Sequence, residues 1–221
     1  MNRYVIIVAG GSGSRMGGDL PKQFMTLGDK SVVLWTIERF LALSFPVSII
    51  LILPSAYIEY WKDYCAKNGL TFHHTLVSGG VTRFDSVKNA LEYVPEGAVV
   101  AVHDGVRPFV SRSFLEKMFT LGEESGAVVP VIKPVDSMRM LDATRVDRDK
   151  YVFVQTPQVF HSDILLKAYE QTFVPEFTDD ASVVEGSGNK ILFTSGNRIN
   201  IKLTQAEDMS LAEAIHSLNV F

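Results

Sequence analysis

A run of mostly apolar residues, Tyr4–Ala9, leads straight into Gly10-Gly11-Ser12-Gly13-Ser14-Arg15-Met16, and Pro21-Lys22-Gln23 follows one loop later. The run is a strand that ends in a glycine-rich turn, which predicts a strand-to-helix unit of an α/β fold. In such a turn the glycines let the backbone approach a ligand closely and point its N–H groups inward. Arg15 and Lys22, seven residues apart, add the positive charge that a polyphosphate needs. The segment reads as a nucleotide-handling loop, although the glycines alone would also suit an ordinary turn of any α/β protein.

Two familiar phosphate loops do not match. A Walker A loop ends Gly-Lys-Ser/Thr directly before a helix, whereas here Gly13 is followed by Ser14-Arg15 and Lys22 is too distant. A dinucleotide fingerprint counted from Gly11 requires glycine where Met16 stands, and the second apolar run, Val47–Leu53, ends in Pro54 rather than an acidic residue. What remains is Gly-x-Gly-x-Arg with a following Pro-Lys. This resembles the signature loop of nucleotidyltransferases that act on sugar or polyol phosphates.

Further near-continuous apolar runs, Ala98–His103 and Ala127–Ile132, have the character of strands buried on both faces. Between the runs lie helix candidates at Ser31–Leu43, Ala56–Asn68, Phe84–Tyr93 and Ser113–Ser125. In the first of these, Val32, Trp35, Ile37, Phe40 and Leu41 form an apolar stripe. This alternation predicts a three-layer αβα, mostly parallel, Rossmann-like sheet with right-handed crossovers. Ligands then bind beyond the carboxyl ends of the strands.

The loops that follow strands carry polar chemistry. After His74–Val77 comes Ser78-Gly79-Gly80-Val81-Thr82-Arg83, and a helix start there offers free N–H groups to an anion. Arg83 and Ser86 share a face of its first turn; a capped helix start with a solvent-facing arginine fits the same residues. Asp104, at the end of a buried strand, is placed to hold a divalent ion such as Mg²⁺, which needs only one or two carboxylates beside phosphate oxygens. A helix cap or an ion pair with Arg107 is the alternative role for Asp104. His103 reads as a packing or orienting residue rather than a ligand, since Mg²⁺ prefers oxygen. Lys202, at the end of an expected strand Arg198–Leu203, is a third cation aimed at the same rim. Thr178-Asp179-Asp180-Ala181-Ser182 reads as a helix cap, and the adjacent His73 and His74 face opposite sides of a strand, so both are structural.

The pattern lapses between Pro134 and Lys150, a polar stretch too long for plain loop in a compact domain. It reads as an arm or hairpin offering Met138, Met140 and Leu141 to a partner subunit, with a flexible surface loop as the alternative. Strand residues Tyr151–Gln155 follow, then helix His161–Thr172, short helix Asp179–Glu185, strand Lys190–Phe193 and closing helix Gln205–Leu218. With no repeats or charge blocks, residues 1–221 are read as one domain with residues 134–150 as a projecting arm. A net charge of −4 advertises no nucleic-acid partner, so an anionic ligand must be drawn by local cations. The only cysteine, Cys65, excludes an internal disulfide and reads as structural. No run approaches the ~20 residues of a membrane span, and the chain reads as cytoplasmic.

In order, AGGSGSRM, LPKQF, GGVTRFDSV, VHDGVRPFV, KPVDSM, VDR, QTPQVF, FTDDAS and NIKLT make nearly the whole chain similar to the 2-C-methyl-D-erythritol 4-phosphate cytidylyltransferase family. The resemblance implies transfer of CMP from CTP to methylerythritol phosphate with Mg²⁺, in a homodimer whose arms exchange. It implies that Arg15 and Lys22, with Lys202, hold the triphosphate and steady the transition state. Ala9, Gly10, Gly11, Gly80, Arg83 and Ser86 would line the CTP pocket. Asp104 would lie near metal and substrate, and Arg107, Ser137, Arg148, Thr156 and Thr178 would recognise the polyol phosphate. The chain departs from the family at Gly105-Val106, where many members carry two alanines, and at Val81, where an acidic residue is frequent. Ribitol phosphate cytidylyltransferases share the nucleotide half, but Arg148 and the Arg198…Asn200-Ile201-Lys202 segment favour methylerythritol phosphate. A nucleotide-sensing protein of the same fold would not require Arg15, Lys22, Asp104 and Lys202 together.

Overall fold

The computed structural model describes residues 1–11 and 20–218. In chain order its strands are β1 (Arg3–Val8), β2 (Thr26–Leu27), β3 (Lys30–Ser31), β4 (Ser48–Leu53), β5 (His74–Ser78), β6 (Val99–Asp104), β7 (Ala127–Ile132), β8 (Phe153–Val154), β9 (Gln158–His161) and β10 (Leu192–Ser195). The helices are α1 (Val32–Leu41), α2 (Ile58–Lys67), α3 (Arg83–Leu91), α4 (Arg112–Ser125), α5 (Ser162–Ala168), α6 (Asp180–Gly186) and α7 (Ala206–Leu218).

The large sheet has the order β5-β4-β1-β6-β9-β7-β10, with β8 also paired to β7. The pairs β5–β4, β4–β1, β1–β6 and β7–β10 are parallel, while β9 runs antiparallel to both β6 and β7. Successive side chains of a strand point to opposite faces, and the two halves of the core follow that alternation. Val5, Ile7, Leu51 and Ala101 pack with Ile37 and Phe40 of α1, Trp61 of α2 and Leu115 and Phe119 of α4. Ile6, Ile50, Val100 and Val102 pack with Phe84 and Val87 of α3, Leu165 of α5 and Val184 of α6. Helices therefore cover both faces of a mostly parallel sheet, as the apolar runs predict. A third apolar cluster joins α7 through Met209 and Ile215 to Leu27, Val106, Phe109 and Leu203. His74 is structural, since Trp61 Nε1–H donates to its Nε2 at 2.8 Å.

The tail differs from its expected pattern in three places. Gln158–His161 forms a strand, so the helix expected from His161 begins at Ser162 and stops at Ala168. Pro157 breaks the apolar run in two, which leaves Val159 and Phe160 looking like the start of the helix that follows. The expected strand Arg198–Leu203 is absent. Its alternating Ile199, Ile201 and Leu203 mimic a strand, but local turns bond Asn200 N–H to Asn197 O and Ile201 N–H to Ile199 O. The expected strand Lys190–Phe193 lies two residues later, at Leu192–Ser195. Leu41, expected on the buried stripe of α1, is exposed.

Within residues 134–150 a hairpin tip is closed by one antiparallel bridge, Arg139 to Arg145, with Met140 N–H donating to Thr144 O at 3.0 Å. Ala143 takes a left-handed φ of 67° at the turn, and Met140 and Leu141 are exposed. Among the described residues no helix is long and apolar enough to cross a membrane.

Helix α4 lies against β9 at Gly122, where a β-carbon would collide with the Val159 side chain. Gly122→Ala gains about 1 kcal/mol of helix propensity but forces two packed layers apart, which typically costs about 1–3 kcal/mol. A lower urea midpoint with an unchanged slope is the expected outcome; a raised midpoint would mean that the α4–β9 contact yields freely.

Candidate active site

The direction of β9 builds the site. Because β9 is antiparallel to β6, its leading residues arrive at the edge where β1, β5 and β6 end, and Asp104 N–H donates to Thr156 Oγ1 at 3.1 Å. A cavity of about 500 Å³ opens at this edge, lined by Ala9, Gly10, Gly11, Lys22, Gly80, Arg83, Ser86, Asp104 and Lys202 among others. A second cavity of about 270 Å³ adjoins it, lined by Arg107, Thr156, Gln158, Thr178 and Asp179. Arg83, Asp104 and Lys202 line both and form their common wall.

Each wall residue is held by charge. The Asp104 carboxylate is buried, and its Oδ2 lies 3.0 Å from Arg107 Nε and 3.1 Å from Lys202 Nζ. Burial pushes its pKa up, but Lys202, Arg83 and Arg107 together outweigh burial and hold it well below the usual carboxylate range. The ion pair with Arg107, one of the two roles anticipated from sequence, is therefore present. Arg83 heads α3, where Thr82 and Asp85 form a reciprocal cap. Its Nη2 donates to Asp180 at 2.6 Å, and Asp180 is fully buried with Tyr169 O–H donating to its other oxygen at 2.7 Å. Burial opposes the charge on Arg83, and Asp180 more than restores it, so the guanidinium is a fixed cation.

The larger cavity has a polar floor. Gly80 N–H donates to Ser86 Oγ at 3.0 Å, and that hydroxyl donates to Thr82 O at 2.8 Å. Gln23, buried beside Lys22, spans the first loop by donating to Ala9 O at 2.8 Å and Gly11 O at 3.1 Å. Gly105 sits against this loop, and a β-carbon there would lie 2.9 Å from Ala9 Cβ. Alanine at 105 would therefore press on the strand that carries the glycine-rich turn. On the other side, Asp179 caps α6 with Ser182 and accepts from Gln158 Nε2 at 2.7 Å, fixing Thr178 beside the smaller cavity.

Two of the expected site residues are not in this cleft, and the position of a third is not described. Arg15 lies outside the described residues. Ser137 and Arg148 line neither cavity, and Arg148 donates to Val135 O within the hairpin segment. Lys202 reaches Asp104 from a segment without strand structure, not from a strand end. Gln23, Gln155, Gln158, Asp180 and Asn200 are buried polar residues of the site that sequence patterning did not single out. The signal for Gln155 and Gln158 is their position on either side of Thr156-Pro157, where the chain enters β9. Nothing in periodicity separates a buried Asp180 from an exposed one.

His103 organises the wall from beneath. It is fully buried, and burial lowers its pKa from the ordinary 6.5 to about 4, so the ring is neutral near pH 7. Its Nε2 lies 3.0 Å from Arg107 O and must donate to it. Nδ1 is then an acceptor and takes the Thr156 hydroxyl proton at 3.0 Å. Below pH 6.5 the unfolded chain binds a proton that the folded chain refuses until about pH 4. This contribution is complete above pH 6.5 and is lost as pH falls through 4, about 3 kcal/mol in all. His103→Asn should flatten stability against pH over that window in urea unfolding; an unchanged slope would show that His103 ionises freely in the folded protein.

The profile of the family described as "IspD: 2-C-methyl-D-erythritol 4-phosphate cytidylyltransferase" matches residues 4–217. A protein of that description from Phocaeicola vulgatus is 49% identical over 218 residues, covering 97% of this chain and 100% of the relative. The crystal structure of the Thermus thermophilus enzyme of the same description aligns with a TM-score of 0.79 at 28% identity, covering 98% of this chain and 100% of that one. Bifunctional IspDF from Campylobacter jejuni aligns with a TM-score of 0.83 at 28% identity over 95% of this chain, which spans only 54% of that longer protein. A family match over residues 4–217, on a sheet whose carboxyl edge brings Gly10, Lys22, Gly80, Arg83, Asp104 and Lys202 to one cleft, places this chain in the 2-C-methyl-D-erythritol 4-phosphate cytidylyltransferase family.

Proposed function

We propose that the protein transfers CMP from CTP to 2-C-methyl-D-erythritol 4-phosphate, releasing pyrophosphate. The observation that carries this reading is the pair of cavities with a common wall of Arg83, Asp104 and Lys202. A direct transfer between two substrates needs two pockets that meet at the reacting atom. CTP occupies the larger cavity, with base and ribose against Ala9, Gly10, Gly80 and Ser86 and the triphosphate toward the loop of Arg15 and Lys22. The polyol phosphate occupies the smaller one, beside Arg107, Thr156 and Thr178. A phosphate oxygen of the polyol substrate attacks the α-phosphorus of CTP, the new O–P bond forms, and the bond to the β-phosphate oxygen breaks. The protein contributes positioning and fixed positive charge, and Lys22 and Lys202 stabilise charge that builds on the phosphoryl oxygens.

Asp104 is the only carboxylate among the described residues that line the larger cavity, and both of its ion pairs fall on Oδ2. A donor set of one carboxylate suits Mg²⁺, which takes its remaining ligands from phosphate oxygens and water. Bound there with CTP, the ion would neutralise phosphate charge. Incubating the protein with CTP, Mg²⁺ and methylerythritol phosphate should release pyrophosphate and yield the cytidine diphosphate ester. Turnover of ribitol 5-phosphate in its place would overturn the substrate and keep the chemistry. Nucleotide binding without turnover of either would make the chain a sensor.

The working unit of this reading is a homodimer of one-domain chains in the cytoplasm. Val135, Met140, Leu141, Tyr151, Phe153, Leu192 and Phe193 leave large apolar area exposed on the hairpin segment and on strands β8 and β10. A second copy would cover such a face. Arg148 does not line its own chain's cleft, which fits delivery to the cleft of the second copy, where its planar fork suits a phosphate. Arg148→Ala should raise KM for the polyol phosphate and leave CTP binding unchanged. Mixed with a Lys22→Ala chain, it should regain about half of wild-type activity per mixed dimer, because one site then carries both lesions and the other neither. No recovery after verified subunit exchange would mean that each site is built from one chain.

A further inference from the structure

Lys202 stands on a segment, residues 196–204, that has no strand or helix, yet its amine must hold position against Asp104. Loops of this kind are ordinarily the mobile parts of a fold. Here most of the backbone donors are committed. Gly196 N–H reaches Val131 O at 2.8 Å, and Asn197 N–H reaches the Gln155 side-chain oxygen at 3.0 Å. Leu203 N–H reaches Val106 O at 3.0 Å, and Thr204 N–H reaches Asp208 Oδ2 at 2.6 Å. The Gln155 amide returns a bond to Asn197 O at 2.9 Å, so one side chain pairs with both polar groups of that residue as a neighbouring strand would.

Asn200 is the deepest of these tethers. It is fully buried, lines neither cavity, and its Nδ2 donates to Thr156 O at 2.8 Å. Its own carbonyl accepts from Arg107 Nη1 at 2.8 Å. Its Oδ1 finds no partner among the described atoms, an arrangement that costs stability. The donor is thus the half of the amide in use. Through these two bonds, among others, Asn200 links the entry to β9, the Arg107 guanidinium and the backbone two residues before Lys202.

We propose that Asn200 is a positioning residue, which with Gln155 replaces a missing strand partner and fixes Lys202 and Arg107 on the Asp104 carboxylate. It acts on the transfer reaction only through those cations, so its kinetic role rests on the function proposed above, while its effect on Lys202 does not. The first test needs no substrate. With acetic anhydride as probe and mass spectrometric readout, Lys202 should label several-fold faster in Asn200→Ala and Asn200→Asp than in the wild type. Exposed Lys67 serves as the reference. Unchanged labelling of Lys202 in a folded variant overturns the proposal. Hydrogen exchange on the wild-type protein gives a second test that is independent of variant folding. The amides of Asn197, Asn200 and Leu203 should exchange far more slowly than those of residues 136–142, and equally fast exchange overturns the proposal. In the assay, Asn200→Asp should lower kcat by about tenfold or more with little change in KM for CTP. Placed in a Lys202→Ala background, it should cost clearly less than in the wild type, since only Arg107 is then left for it to position. Losses that multiply would make Asn200 a structural residue only. Wild-type protein inactive on both polyol phosphates would overturn the proposed function and leave the labelling result standing.

Discussion

At Oδ2 of Asp104 two cations converge, Arg107 from the loop after β6 and Lys202 from the segment before α7, with Arg83 close enough to act on the same carboxylate. A buried carboxylate is costly unless paired, and unpaired buried cations are equally so. The three cations and the one anion therefore fix one another's positions. Asp180 has the same role a layer deeper, taking Arg83 on one oxygen and Tyr169 on the other. Much of the polar architecture of the cleft can be traced outward from these two carboxylates. The result is a positive wall between two cavities, in a chain whose net charge is −4.

The sheet supplies the geometry that makes such convergence possible. In a parallel sheet the carboxyl ends of the strands share one edge. An antiparallel strand inserted among them adds its leading residues to that edge, and β9 does this with Thr156 and Gln158. The hydrogen bonds from Asp104 N–H to Thr156 and from Thr156 to His103 then join the two strand ends into one unit. His103, neutral and buried, carries this bonding on to the carbonyl of Arg107.

The central strands and the helices around them were legible in the sequence because burial on both faces leaves long apolar runs, such as Val47–Leu53 and Ala98–His103. The loops after those strands were legible for the same reason: once the edge is known, Gly80, Arg83, Ser86 and Asp104 must lie on it. What escaped were features that depend on partners distant in the chain. Gln158–His161 is only four residues long and is recognisable as a strand only when β6 and β7 flank it. Ile199, Ile201 and Leu203 alternate as a strand would, but their segment is held by the Gln155 side chain instead of a neighbouring strand. Asp180, beside a cap residue, gives no sign in the sequence that Arg83 comes to it from 97 positions away.

The hairpin segment leaves the sheet from β7 and returns, through β8, to β9, and β7 and β9 are hydrogen-bonded neighbours. Topologically, residues 133–157 are one long loop closing an antiparallel pair. Loop-closure entropy grows slowly with length, by roughly 0.6 kcal/mol per doubling. The tip of this loop is therefore nearly decoupled from the core it springs from. A change in the length of its tip would alter what the hairpin can dock against at little cost to the entry to β9 and the cleft edge beyond it. In this architecture a tip whose length is cheap to change and an edge whose geometry is not are joined by a few positions of chain.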